Sequence, residues 1–425
     1  MTPSEQSTHR RSQVLTYNPK WLPPLGKYIC DLVVSRPTAA GRAAFTNLSA
    51  ALLEVYPLQA PQLLFAEKGS HNSETPFSYL LINLILVDVR ATLPTLLTQL
   101  NTPQYADTSL RLTSAFNVTS HFIGYLVRSM DSDNNTTLQW IINPDHLLKL
   151  RTSISETLSL TTEYLRDRWD ASVAGAMGLH PDARASQTKT ATGSHLTLAW
   201  DSKTDSAADD PLILAAIRAL AIWLREDDND LLRKEAAGLS DMLIELYRNG
   251  GKGRLDFRRP VLVAFEGIIA EEKRGVEAFL ENGGWEALAD DLVAVLEASS
   301  TAAAAAAGDE NDEAGRGVEV VRVLLQIAEA EQPGSREAWM DLVTRVAGWD
   351  VPDVKQSSVV EECQVAVLQL VTTLLVNAHQ GMRKRYVHSI SAVLGIAEQL
   401  SKKIRGDRGL EEALEDVRGT LAALR

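Results

Sequence analysis

The chain has 425 residues, 45% apolar and 23% charged, with two cysteines and a net charge of −13. That length exceeds one compact core and suits several globular units or one elongated repeat stack. Two cysteines exclude a disulfide framework and a cysteine-based zinc site, and the acidic balance argues against a phosphate backbone as main partner. The excess charge is local, since residues 205–316 carry 24 acidic against 12 basic side chains.

Residues 1–15 read as a disordered polar tail, with no apolar run of the kind a secretory signal carries. Residues 16–175 follow as a first helical-repeat half. "GRAAFTNLSAALLEVYP" holds apolar positions at helical spacing and stops at Pro57; "PFSYLLINLILVDVRATLPTLLTQL" and "SLRLTSAFNVTSHFIGYLVRSM" repeat the pattern. The apolar run "YLLINLILVDVRATL", interrupted by Asp88 and Arg90, reads as too short to span a bilayer, and those two charges are expected to be paired. From Asn143, which can cap, and Pro144, which can open a helix, Leu147, Leu150, Ile154, Leu158, Thr161, Leu165 and Trp169 form one continuous stripe, so a single long helix is predicted.

Residues 176–209, rich in Ser, Thr, Gly and Asp without a sustained period, read as a linker. The acidic helical segment 210–299 comes next. Ile213, Ile217, Leu220 and Leu224 make one apolar face; after the break "REDDND", Leu232, Ala236, Leu239, Leu243 and Leu246 make a second, ended by Asn249–Gly251. "GVEAFLENGGWEALADDLVAVLEAS" is a short helix, an Asn-Gly-Gly turn and a longer helix opening at Trp285. Residues 300–316 read as a low-complexity alanine-rich and acidic linker, and residues 317–425 as a C-terminal helical segment. No run of strands is predicted. A short helix, a turn and a longer amphipathic helix recur about every forty residues, near HEAT and armadillo spacing. Each such pair leaves apolar surface that only a neighbouring pair can cover. The fold class is therefore all-α, an armadillo/HEAT-like α-solenoid built as a superhelical stack of helix pairs.

No catalytic constellation stands out. The eight histidines form no His-Glu-x-x-His pair and no ligand cluster, and "NGGKGR" lacks phosphate-loop spacing, so no metal, no cofactor and no catalytic residue is expected. Two patches are candidates for protein binding. In "EYLRDRWD", Arg166, Arg168 and Asp170 surround Trp169, and Trp and Arg are enriched at binding hot spots; the alternative is a Trp packed inside with charges paired along the helix. In "MRKRYVHS", Arg383, Lys384 and Arg385 form a basic stretch suited to acidic partners or lipid headgroups, the alternative being a plainly solvated basic face.

"PFSYLLINLILVDVRATLPTLL", "RALAIWLREDDNDLLRKEAAGLSDMLIELY" and "GVEAFLENGGWEALADDL" together resemble the neurochondrin family, particularly its fungal members, from about Cys30 to Leu296. The resemblance implies an armadillo-type solenoid in the cytoplasm that acts as a scaffold or adaptor for other proteins; from the charge balance no nucleic acid is expected, and membrane contact is expected to be at most peripheral. Animal members are associated with lipidation at cysteines near the start, and this chain has none before Cys30. The resemblance identifies no partner and no oligomeric state. Two rival readings are an importin-like armadillo receptor for basic peptides, whose Trp-x-x-x-Asn ladder is absent here, and a helical enzyme, which no residue pattern supports.

Overall fold

The computed structural model describes residues 19–35, 37–66, 75–100, 102–131, 142–173, 207–251, 254–270, 273–301, 307–331, 334–353, 356–404 and 406–425. The expected tail 1–15 and nearly all of the expected linker 176–209 lie outside them. Among the described residues every regular element is a helix. They fall into two compact units, residues 1–235 with 251–255, and residues 236–250 with 256–425.

Unit 1 holds α1 (Leu22–Val34), α2 (Ala39–Val55), α3 (Ala60–Phe65), α4 (Phe77–Leu96), α5 (Gln104–Asp131), α6 (Pro144–Val173) and α7 (Pro211–Glu226); α8 (Asp230–Ala237) belongs to it through Glu235. Packing sorts these into two rows. One runs α1–α4–α6 and the other α2–α5–α7, while α1 meets α2, α4 meets α5, and α6 meets α7 across the layer. The short α3 lies against α2, α4 and α5. Each helix touches its partner in the pair and its counterpart in the next pair, which is how stacked repeats bury stripes that one hairpin leaves open.

Unit 2 repeats the plan with four pairs. Its helices are α9 (Ser240–Asn249), α10 (Arg258–Ile269), α11 (Lys273–Glu281), α12 (Gly284–Thr301), α13 (Ala307–Ala330), α14 (Met340–Ala347), α15 (Ser358–Asn377), α16 (Gln380–Arg385), α17 (Val387–Lys403) and α18 (Arg408–Leu424). One row is α9–α12–α14–α17, and the other is α10–α13–α15–α18. The first-row helices start 44, 56 and 47 residues apart. Each unit is thus an all-α helical repeat of the armadillo/HEAT-like kind.

Local chemistry explains the boundaries. The Asp210 carboxylate caps α7 by accepting from Leu212 N at 2.9 Å, with Pro211 in the first turn. Asn143 accepts from Asp145 N at 3.0 Å where α6 opens, and Ser357, His379 and Asp407 cap α15, α16 and α18. Between α11 and α12, Gly283 has φ 71°, which favours glycine, and a Cβ on Gly284 would come within 2.5 Å of the Phe279 ring.

The long helix is continuous over Pro144–Val173. Leu150, Ile154, Leu158, Thr161 and Leu165 are buried, while Leu147 and Trp169 at the stripe's ends are half-buried. Thr157, Thr161 and Thr162 bury their hydroxyls by donating to the carbonyls four residues back.

Three local departures from the sequence reading have physical causes. The second apolar face of the 210–246 hairpin stays buried but is broken at Gly238–Leu239 into α8 and α9, where Ser240 Oγ donates to Ala237 O at 2.8 Å and the low helix propensity of glycine favours the break. Within 300–316, helix α13 already runs from Ala307; the Arg316 guanidinium there is anchored by Asp291 and Glu313. The segments Phe77–Gln99 and Ser358–Asn377 are long and apolar enough to cross a membrane by length and composition; the first outlasts the run read from the sequence because its helix continues through Pro94 to Leu96 and a 3-10 turn carries it to Gln99. In unit 1, α4 buries Leu81, Ile82, Ile85, Leu86, Val89 and Leu93 against neighbouring helices. Asp88 pairs with Arg111, as expected for charges inside an apolar helix.

Candidate functional site

Unit 1 carries an open groove of about 760 Å³. One wall is a single face of α6, from Leu148 through Arg151, Thr152, Ser155, Glu156 and Ser159 to Leu160. These positions step alternately by three and one, so they share one side of the helix over about 18 Å at 1.5 Å per residue. The facing wall is the acidic turn Asp227–Asn229 with Asp230, Leu231, Leu232 and Glu235 of α8, and Arg90 of α4 closes one edge.

A polar lattice sets this geometry. Arg151 Nε donates to Asp227 Oδ1 at 2.5 Å, tying α6 to the end of α7, where Asp227 also sends its backbone N–H to Trp223 O. Trp223 Nε1 donates to Ser155 Oγ at 3.2 Å, and Ser159 Oγ donates to Glu235 at 2.7 Å. Arg90 pairs with Glu156 at 2.5 Å. Arg233 of α8, with only 6% of its side chain exposed, holds Asp228 of the turn at 3.0 Å. Two leucines stand out against this frame. Leu148 is 63% exposed and Leu231 67% exposed, one on each helical wall.

The sequence-predicted residues sit elsewhere. Arg166 pairs with Asp170 one turn away at 3.3 Å, along the helix, while Trp169 is half-buried. Arg168 is fully buried, so it presents no surface to a partner. Its charge acts on a buried polar knot, in which Tyr105 donates to Asp210 and its hydroxyl lies 3.5 Å from that of Tyr164. Burial first, then Asp210, pushes the Tyr105 phenol from its ordinary 10.0 to about 12. Arg383, Lys384 and Arg385 lie on α16 in unit 2. Arg383 donates to Ala378 O at 2.7 Å and Arg385 pairs with Glu337 at 2.5 Å, so two of the three cations brace the helix stack, and Lys384 is exposed. Of these seven residues, four lie in unit 1 and three in unit 2.

The knot carries a pH signature. The folded state keeps Tyr105 protonated at pH values where the unfolded chain ionises it, so stability is fully present below pH 10 and falls as pH rises through about 12. The shift is worth about 2–3 kcal/mol. In chemical unfolding at stepped pH, the stability advantage of the native chain over Tyr105→Phe is expected to shrink across that window; a constant difference would contradict it.

What sequence reasoning missed is the groove itself. Its one available signal was Leu148 and Leu231, leucines lying off the buried stripes of their helices. Among the described residues no cluster of ligands suited to a metal ion occurs. Burial pushes the Cys363 thiol up to about 12, far from a reactive thiolate.

A family model for neurochondrin matches residues 3–313. An uncharacterized protein of Schizosaccharomyces pombe is 25% identical over 171 residues, covering 40% of this chain, and the match spans 25% of that relative's own length. Among solved structures, the crystal structure of an engineered protein aligns with 97% of this chain and 88% of its own at 12% identity and a TM-score of 0.35. With nearly three quarters of its length inside the family match, the chain belongs to the neurochondrin family.

Proposed function

We infer that the protein is a non-enzymatic scaffold or adaptor of the neurochondrin type, working in the cytoplasm by holding segments of other proteins on its helical-repeat surface. Membership of the family supports a helical protein-interaction scaffold at the family level. The observation that carries the reading for this chain is the groove of unit 1, about 760 Å³, flanked by two leucines that are more than 60% exposed. Large apolar side chains left in water beside a concave, hydrogen-bonded frame are what a docking surface needs, because a few buried anchors supply most of the affinity of a protein contact. The polar groups of the groove are engaged mostly in holding its walls, which suits a surface that binds rather than a cleft that performs chemistry.

Purification at native expression followed by crosslinking mass spectrometry tests this. The expected result is a defined partner, recovered repeatedly and crosslinked to the helices of one unit. A monodisperse protein that brings down no specific partner would contradict the scaffold reading.

A further inference from the structure

The groove holds a buried acceptor that the protein leaves unused. Asp227 is 9% exposed; its Oδ1 takes the Arg151 bond, and its Oδ2 has no hydrogen-bond partner among the described residues. A buried polar atom without a partner costs about 1–3 kcal/mol, so an unfilled acceptor on a groove wall fits a donor brought by a ligand. The groove's charge has the matching sign. Five carboxylates line it, those of Glu156, Asp227, Asp228, Asp230 and Glu235, against two guanidinium groups, and both of these are already paired inside the groove. The α6 wall is a straight face about three turns long, which suits a short helix laid along it.

Resting on the scaffold reading above, we propose that the groove between α6 and α8 takes a short cationic amphipathic helix from a partner protein. One apolar side chain of that helix seats between Leu148 and Leu231, and an arginine or lysine donates to Asp227 Oδ2. Charge disfavours the competing occupants. A second copy of the chain brings the same net charge of −13. The chain's own segment 174–206 carries three acidic and three basic residues and offers no net attraction. Nucleic acid presents phosphates to an acidic rim.

The probe is a synthetic, fluorophore-labelled 18-residue helical peptide of leucine and arginine, titrated by anisotropy into the full chain at low and moderate salt. Saturable binding that weakens with salt is expected. Leu148→Ser combined with Leu231→Ser changes no charge and touches only exposed side chains, so the fold is retained and affinity is expected to fall at least tenfold. Asp227→Asn is expected to cost about tenfold, while Glu412→Gln, which removes the same single charge from an exposed site in unit 2, stays within twofold. Equal losses for Asp227→Asn and Glu412→Gln, or an unchanged affinity in the double leucine variant, would show adhesion through overall charge and overturn the assignment. In the crosslinking experiment, crosslinks from Lys149 and Lys234, which flank the groove on α6 and α8, support the assignment. A partner crosslinked only at other sites overturns it and leaves the scaffold reading standing; recovery of no partner overturns both.

Discussion

Replacing Trp339 with alanine is expected to lower the unfolding free energy of unit 2 by about 3–5 kcal/mol, the range for deleting a large buried aromatic. Trp339 is 2% exposed and stacks on Trp285, with ring centroids 4.2 Å apart and planes 16° from parallel. Trp285 lies in the first turn of α12, just after the Asn-Gly-Gly turn, and Trp339 in the short 3-10 turn that opens α14. The stack therefore joins successive members of one row, where a repeat architecture has only neighbour contacts to rely on. Arg336 adds a charge 5.8 Å from the Trp339 ring, at a site exposed enough to contribute little. Chemical unfolding followed by circular dichroism measures the effect, and Trp339→Phe, which keeps a ring against Trp285, is expected to retain most of the lost stability. A loss under about 1 kcal/mol for the alanine variant would mean that the stack does not hold the row together.

Arg316→Ala is expected to cost a similar amount, about 3–5 kcal/mol, for an electrostatic reason. The Arg316 side chain, 5% exposed, donates twice to Asp291 at 2.9 and 3.1 Å and pairs with Glu313 on its own helix. Tyr247 of α9 donates to the same Asp291 carboxylate at 2.5 Å. Burial works against the Arg316 charge, but the hydrogen bonds and charges of Glu313 and Asp291 outweigh it and hold the guanidinium above its ordinary range. Burial and then Asp291 likewise raise the Tyr247 phenol. Removing the arginine strands a largely buried carboxylate with one neutral donor. The informative control is the pair Arg316→Leu with Asp291→Leu, which removes both charges and is expected to recover most of the loss, since replacing a whole buried pair by apolar groups is often near neutral. Additive losses would show that the two residues act independently.

The contrast between these two sites and the groove shows what a sequence reader can reach. Helix α6 was legible because an Asn-Pro start and seven stripe positions agree on one period, and the turn before Trp285 was legible from Asn282–Gly284. The break at Gly238 was hidden because the apolar spacing runs through it undisturbed. Burial of Arg168 was hidden for another reason: its neighbours Tyr105 and Asp210 come from helices some sixty residues earlier and forty later, and no local pattern places them together. The same holds for the groove, whose walls are α6 and a turn about seventy residues further along. Periodicity identifies what a helix buries; a binding surface is made of what it leaves out, and Leu148 and Leu231 carry no period of their own.

Hydrogen exchange of the full chain with and without a recovered partner bears most directly on the central claim, that this protein works by holding a foreign segment in the unit 1 groove. Protection is predicted over residues 148–160 and 227–235, with the remaining helices of both units unchanged. Unaltered exchange in both segments when the partner is saturating would contradict it.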